Sequence, residues 1–216
     1  MTTRDAILDG AWRVMRTRGL AGTTTKEIAR AAGYSEATLY KLFSDKVDLF
    51  LSVLSERLPR VGVVSHGVAD LAGTGAVAAN LERIVSETCR FYAASFPLAM
   101  SLFSDPALLA RHRAGVRELG AGPEVVVEAV RAYLRAEQSL ARVGPRAPVD
   151  AAAMSLVGAC FHRAFLLRFA DTGAADRPEP DGLADDDRPE EDDGQDPTAG
   201  AFAAGVVASV LPALVP

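Results

Sequence analysis

The chain reads as all-α, with a three-helix head in residues 1–50 and a larger helical body in residues 51–216. Three observations predict this. Alanine, leucine and arginine fill the long stretches, while valine and isoleucine never settle into the period-2 alternation of half-buried strands. Cap signals follow one another closely in the first fifty residues, with Gly19 and Gly33 between short apolar-periodic segments. Beyond residue 76 apolar residues recur at helical spacing over runs long enough for several turns.

Asp5 to Arg18 places Ile7, Leu8, Ala11, Val14 and Met15 on one helical face, with Thr3 as N-cap and Gly19 as stop. A second helix opens at Thr24, where T-T-K-E makes a capping box with Glu27, and Gly33 ends it. Ser35 caps a third helix through Lys41, and Ser44 with Asp45 starts a fourth to Leu58. Residues 59–75 read as a connection. One helix is expected from Ala76 to Phe96, ending near Pro97, then shorter ones at Pro97–Ser104 and Pro106–Leu119. Gly122 to Arg142, with Pro123 at the first helical position, and Pro148 to Asp171 read as two long helices. Ala199 to Pro216 reads as an apolar helix broken or ended at Pro212.

Net charge is -5, yet residues 171–198 hold twelve acids against Arg177 and Arg188 and alone contribute -10, leaving the rest at about +5. With Pro178, Pro180, Pro189 and Pro197 among the acids, residues 172–198 read as a disordered linker, and the prolines argue against a rigid metal site at its DDxxE. Charges near the N-terminus stand where a secretory signal needs its apolar core. Cys89 and Cys160 lack a CxxC or Cys/His cluster and read as buried reduced thiols of a cytoplasmic protein. No nucleotide loop, HExxH or Ser/His/Asp ordering points to catalysis, and no cofactor or metal is expected.

Every lysine, Lys26, Lys41 and Lys46, falls between Thr23 and Lys46, while the other twenty basic residues are arginine. The two short helices around Gly33 form a helix-turn-helix pattern. Ser35, Glu36, Ala37 and Thr38 cluster on the first turn of its second helix, small or polar as a major groove requires. Thr24, Thr25, Lys26, Tyr40, Lys41 and Lys46 surround them with hydroxyls and ammonium groups suited to phosphate.

The order T-T-x-x-I-A-x-x-A-G-x-S-x-x-T-L-Y-x-x-F-x-x-K-x-x-L resembles the DNA-binding signature of the tetracycline-repressor (TetR) family of bacterial regulators. Thr24, Thr25, Ile28, Ala29, Ala32, Gly33, Ser35, Thr38, Leu39, Tyr40, Phe43, Lys46 and Leu49 carry it. The resemblance implies that Thr25, Tyr40 and Lys46 hold backbone phosphates while Ser35 to Thr38 face bases. Leu42 departs from it, standing where the family often has a polar residue. It also implies a palindromic double-stranded DNA operator, a small, largely apolar effector, and a homodimer through the last two helices. Phe91, Tyr92, Phe103, Tyr133, His162 and Phe165 are the candidates to line an effector cavity. The last eighteen residues are uncharged, but their Ala/Gly content, Pro212 and lack of a basic flank favour a helix interface over a membrane anchor.

Overall fold

The computed structural model describes residues 1–57, 67–68, 70–118, 122–170 and 198–215, and among them every regular element is a helix. The first, α1 (Thr3–Arg18), is capped by Thr2 and not by Thr3. Starting one residue earlier puts Asp5 at the third helical position. There it accepts from the Thr2 N–H at 3.1 Å while Thr2 Oγ1 accepts from the Asp5 N–H at 3.1 Å. Next comes α2 (Thr25–Ala31), opened by the expected Thr24–Glu27 capping box and closed by Gly33 at φ +76°, a conformation costly for any residue with a Cβ. Ser35 caps α3 (Glu36–Leu42), and Asp45 caps α4 (Lys46–Glu56). Gly10 on α1 lets α2 approach, since a Cβ there would lie 3.0 Å from Ala32 Cβ.

The expected helix end at Leu58, most of the 59–75 connection, Leu119, Asp171 and nearly all of the 172–198 linker lie outside the described residues.

Pro97 does not end a helix. A single helix, α5 (Val77–Phe103), runs through it, so the separate 97–104 helix is its continuation. A proline inside a helix costs about 3 kcal/mol, and tertiary contacts offset it here. Leu98 and Leu102, on the turns after the proline, are buried in the head's core beside Ile7, Met15, Leu39, Leu49 and Phe50. Ser101 Oγ donates to the Pro97 carbonyl and accepts from the Leu20 N–H, both at 3.1 Å, tying this stretch to the end of α1.

Asp105 accepts from the Ala107 and Leu108 N–H groups at the start of α6 (Pro106–Glu118), whose Leu108 joins the same core. The following helix, α7 (Val125–Ser139), is shorter at both ends than the 122–142 expected. Pro123 lies in the turn before it and not at its first position. At its other end Ala141 takes φ +58°, and the Arg142 and Val143 N–H groups return to the Glu137 carbonyl. Then come α8 (Val149–Ala170), α9 (Ala199–Val210) and a 3-10 turn, Leu211–Ala213, that contains Pro212.

The body's core lies among α5, α7, α8 and α9, with Ile84, Val85, Val130, Tyr133, Leu134, Leu156, Cys160 and Val207 buried together. One charge is buried with them. Glu137 is fully enclosed, accepts from the Gly73 N–H at 3.2 Å, and pairs with Arg142 Nε at 3.1 Å. Arg142 also donates to the Thr74 and Gly75 carbonyls, so the pair closes the turn from which α5 starts. Among the described residues, α8 is the one helix long and apolar enough to cross a bilayer by length and composition, with 39% of its apolar window buried within the chain. The last segment's helix, twelve residues in α9, falls short of the roughly 20 a bilayer span needs.

Candidate nucleic-acid interface

The head presents α2, a four-residue turn and α3 on one side of α1 and α4. Local bonds fix the turn. The Gly33 N–H reaches the Arg30 carbonyl at 3.0 Å, the Tyr34 N–H reaches that of Ala29 at 2.9 Å, and the Thr38 N–H reaches Ser35 Oγ at 3.2 Å. Leu39 and Phe43 point inward, which turns the first turn of α3 outward. Ser35 and Ala37 are exposed and Glu36 and Thr38 partly so, with Ser35 Oγ and Thr38 Oγ1 sharing a hydrogen bond at 2.9 Å. These four side chains form the continuous small or polar surface expected of base-reading positions.

The flanking residues divide into two kinds. Lys26 and Lys41 are exposed, and Tyr40 is 50% exposed. Thr24 is committed to its own helix, since its hydroxyl caps α2 and donates to Glu27 at 2.8 Å. Thr25 is buried, and its hydroxyl donates to Glu36 Oε1 while lying 3.2 Å from the Tyr40 hydroxyl. Glu36 is therefore held by the protein, a contact the sequence did not disclose. Lys46 is partly buried at the start of α4, where burial draws its pKa below the ordinary lysine value and the Glu27 carboxylate opposes that fall. Glu27 is itself kept below the usual carboxylate range by the Thr24 N–H and hydroxyl, and Arg18 pairs with it at 2.8 Å. Leu42 is 41% exposed and puts an apolar side chain on the rim of this face.

Sequence reasoning passed over the arginines of the head. Arg13, Val14, Arg18, Glu27, Arg30 and Ala31 line an open groove of about 310 Å³ between α1 and α2. Arg13 Nη2 donates to the Ala31 carbonyl at 2.7 Å, bridging the two helices. The available signal is the five-residue spacing of Arg13 and Arg18 along α1, with Arg30 on the facing helix.

The six cavity candidates do not form one group. Phe91, Tyr92, His162 and Phe165 belong to one run of ring contacts along α5 and α8, linked through Phe96 and Phe161 and continued by Phe169; it starts half-buried on α5 and reaches solvent on α8, where Phe161, His162, Phe165 and Phe169 are exposed. Ring centroids lie 5.2 Å apart for Phe91–Tyr92, 5.5 Å for Tyr92–Phe161, 5.4 Å for Phe96–Phe161 and 6.2 Å for both Phe96–Phe165 and His162–Phe165. Tyr133 is sealed in the core on α7, where burial pushes its hydroxyl up to about 12. Phe103 is 66% exposed at the far end of α5, beside the head. A small, partly open pocket among α5, α8 and α9, lined by Cys89, Arg90, Ala93, Arg163, Ala164, Leu167 and Ala199, measures about 20 Å³, room for about one water.

Arg163, awkward in so apolar a helix, donates to Thr198 Oγ1 at 2.6 Å and stacks over Phe202, fastening α8 to α9. Cys89 and Cys160 are buried, and the neighbouring Cys89 together with burial pushes the Cys160 thiol far up, away from thiolate chemistry. Among the described residues no group of three or more His, Cys, Asp or Glu is placed to hold a metal ion.

Residues 7–53 match the family described as bacterial regulatory proteins, tetR family. An uncharacterized HTH-type transcriptional regulator of Bacillus subtilis, YvkB, is 39% identical over 62 residues, covering 29% of this chain and 33% of YvkB. The chain thus spans a third or less of the length of the curated relatives it matches. Over the whole chain the likeness is one of fold. A Mesorhizobium loti protein assigned to the TetR-family transcriptional regulators superposes with TM-score 0.70 at 18% identity, covering 99% of this chain and 97% of that one. The Bacillus subtilis transcriptional regulator FadR in complex with stearoyl-CoA superposes with TM-score 0.61 at 16% identity, covering 95% and 96%.

Proposed function

Because its amino-terminal helix-turn-helix is that of the TetR family of bacterial regulatory proteins, we propose that this chain is a homodimeric, ligand-responsive transcriptional repressor released from a palindromic operator by a small, largely apolar molecule. The observation that carries the reading is the α3 face, where Ser35, Glu36, Ala37 and Thr38 meet solvent side by side with Tyr40, Lys41 and Lys46 around them. A dimer supplies the second head that a palindrome needs. The surface of α8 and α9 supports it: Met154, Phe161, Phe165, Leu166, Leu167 and Phe169 are each at least 40% exposed, next to the Gly and Ala face of α9.

The full-length protein should select a two-fold symmetric sequence from a randomised duplex library. It should bind that sequence about a thousandfold or more tighter than unrelated DNA, with a steeply negative dependence on salt. Binding without sequence preference, or catalytic turnover without DNA binding, refutes the reading.

The effector half rests on Phe91, Tyr92 and Phe96, the buried and half-buried rings that α5 carries into the body, and on the likeness to a fold that holds stearoyl-CoA in FadR. Acyl thioesters are therefore the first class to screen. A bound effector stabilises the folded state by mass action, read as a rise in Tm with concentration. To enter at the pocket among α5, α8 and α9 it has to part those helices, because about 20 Å³ is far below the several hundred that a ligand of that kind occupies. That same small volume favours one rival, a constitutive DNA-binding dimer whose body only dimerises. The rival predicts that no acyl thioester shifts Tm or operator affinity.

A further inference from the structure

Thr25 Oγ1 on α2 links Glu36 Oε1 to the Tyr40 hydroxyl, one turn apart on α3, in an unbroken line of hydrogen bonds. Proton counting fixes its direction. An ionised carboxylate only accepts, so the single Thr25 hydroxyl proton goes to Glu36, and the 3.2 Å contact to Tyr40 is made by the tyrosine proton. The two ends differ in access. Tyr40 is 50% exposed, whereas Thr25 is 9% exposed. A DNA phosphate also only accepts. It can recruit Tyr40 by turning one exposed O–H outward, but recruiting the Thr25 hydroxyl would strip Glu36 of its donor and seat a second anion beside the carboxylate. Among the described residues Glu36 Oε2 takes no protein donor, and Glu36 stands on the exposed first turn of α3 between Ser35 and Ala37.

We propose that the Thr25 hydroxyl is a positioning group for Glu36 and not a phosphate ligand, and that Glu36, so held, determines specificity by accepting from the exocyclic amino group of a base. Cytosine N4 is the match for a carboxylate in the major groove. Tyr40 alone of the three turns to the phosphates. The inference rests on the DNA-binding reading above and narrows it, because by resemblance alone Thr25 would be a backbone contact.

The test uses the full-length protein and the duplex it selects from a randomised library, with single-base variants of that duplex across a salt series. Thr25→Val keeps the volume and removes the hydroxyl, Thr25→Ser keeps the hydroxyl, and Glu36→Gln weakens the acceptor. Thr25→Val and Glu36→Gln should each relax discrimination at the same base position by on the order of tenfold. The double variant should be no worse than either single one. Thr25→Ser should retain discrimination, and Thr25→Val should leave the salt slope unchanged. Tyr40→Phe should instead weaken all duplexes alike. If Thr25→Val weakens every duplex equally with preference intact, or adds to Glu36→Gln, the relay has no part in base reading and the proposal falls. A wild-type protein that selects no sequence overturns the DNA-binding reading and this inference together; a selective wild type with unchanged variants overturns this inference alone.

Discussion

Leu98 tests whether the head and the body are one packed unit. It belongs to α5, the body's longest helix, yet its side chain is 0% exposed in the head's core with Leu102 and Leu108. Leu98→Ala removes three carbons from a fully buried site, a transfer loss of about 2 kcal/mol. A cavity term of about 1–2 kcal/mol adds to that, because the buried cluster around the position, shared by α1, α4 and α6, collapses only in part. The expected cost is about 3–4 kcal/mol in urea unfolding, or a fall in Tm of roughly 8–14 °C for a chain of this size. Phe103→Ala, five residues on and 66% exposed, should stay within about 0.5 kcal/mol. Amide exchange in α1 should accelerate together with that in α5, since one cavity loosens both. A cost below about 1 kcal/mol, or faster exchange confined to α5, would refute the shared core.

Four further outcomes follow. Lys46→Ala should weaken binding by a similar factor on all duplexes and reduce the salt slope by about one, measured by fluorescence anisotropy from low to moderate salt; a change in sequence preference would contradict its phosphate role. Gly158→Arg or Gly205→Arg, where a Cβ meets nothing within 4 Å in the isolated chain, should leave secondary structure intact and turn the proposed dimer into monomer by sedimentation; a persisting dimer would place the interface elsewhere. The Thr2 hydroxyl, then the Thr2 N–H and Arg57, hold Asp5 at about 2 instead of 3.8, so its stabilisation is present above about pH 4 and lost as pH falls through 2. Thr2→Ala should move the Asp5 carboxyl titration upward by NMR, and an unmoved titration would assign the shift to Arg57. Glu137→Ala leaves Arg142 without its buried partner and should cost about 3 kcal/mol in denaturant unfolding, with a neutral result excluding the pair as the closure of the α5 turn.

Helix starts were legible wherever a side chain caps its own helix. Thr24 with Glu27, Ser35 and Asp45 satisfy N–H groups three residues away, and such bonds can be read from spacing alone. At the first helix the choice between Thr2 and Thr3 turned on whether Asp5 could return the bond, which needs the third helical position. Pro97 defeats a local reading because its cost is offset by Leu98 and Leu102 burying against residues roughly 45 to 95 positions earlier in the chain. Residue type marks an aromatic on a helix but not the face it occupies. Tyr133 lies on the inward stripe of α7 with Val126, Val130 and Glu137, so it is core, while Phe103 faces outward at the other end of α5. The Thr25–Glu36 bond spans eleven residues and a turn, and nothing in residue type announces it.

The unbroken course of α5 through Pro97 has a mechanical consequence. Its 27 residues make a rod of about 40 Å, seated in the body's core by Leu81, Ile84 and Val85 and in the head's core by Leu98 and Leu102. Over that length each degree of tilt displaces the far end by about 0.7 Å, so roughly five degrees amounts to one base-pair rise of about 3.4 Å. Two short helices divided at residue 97 would have dissipated such a motion at their joint. As one lever, α5 ties the position of Val85 in the body's core to that of Leu98 and Leu102 in the head's.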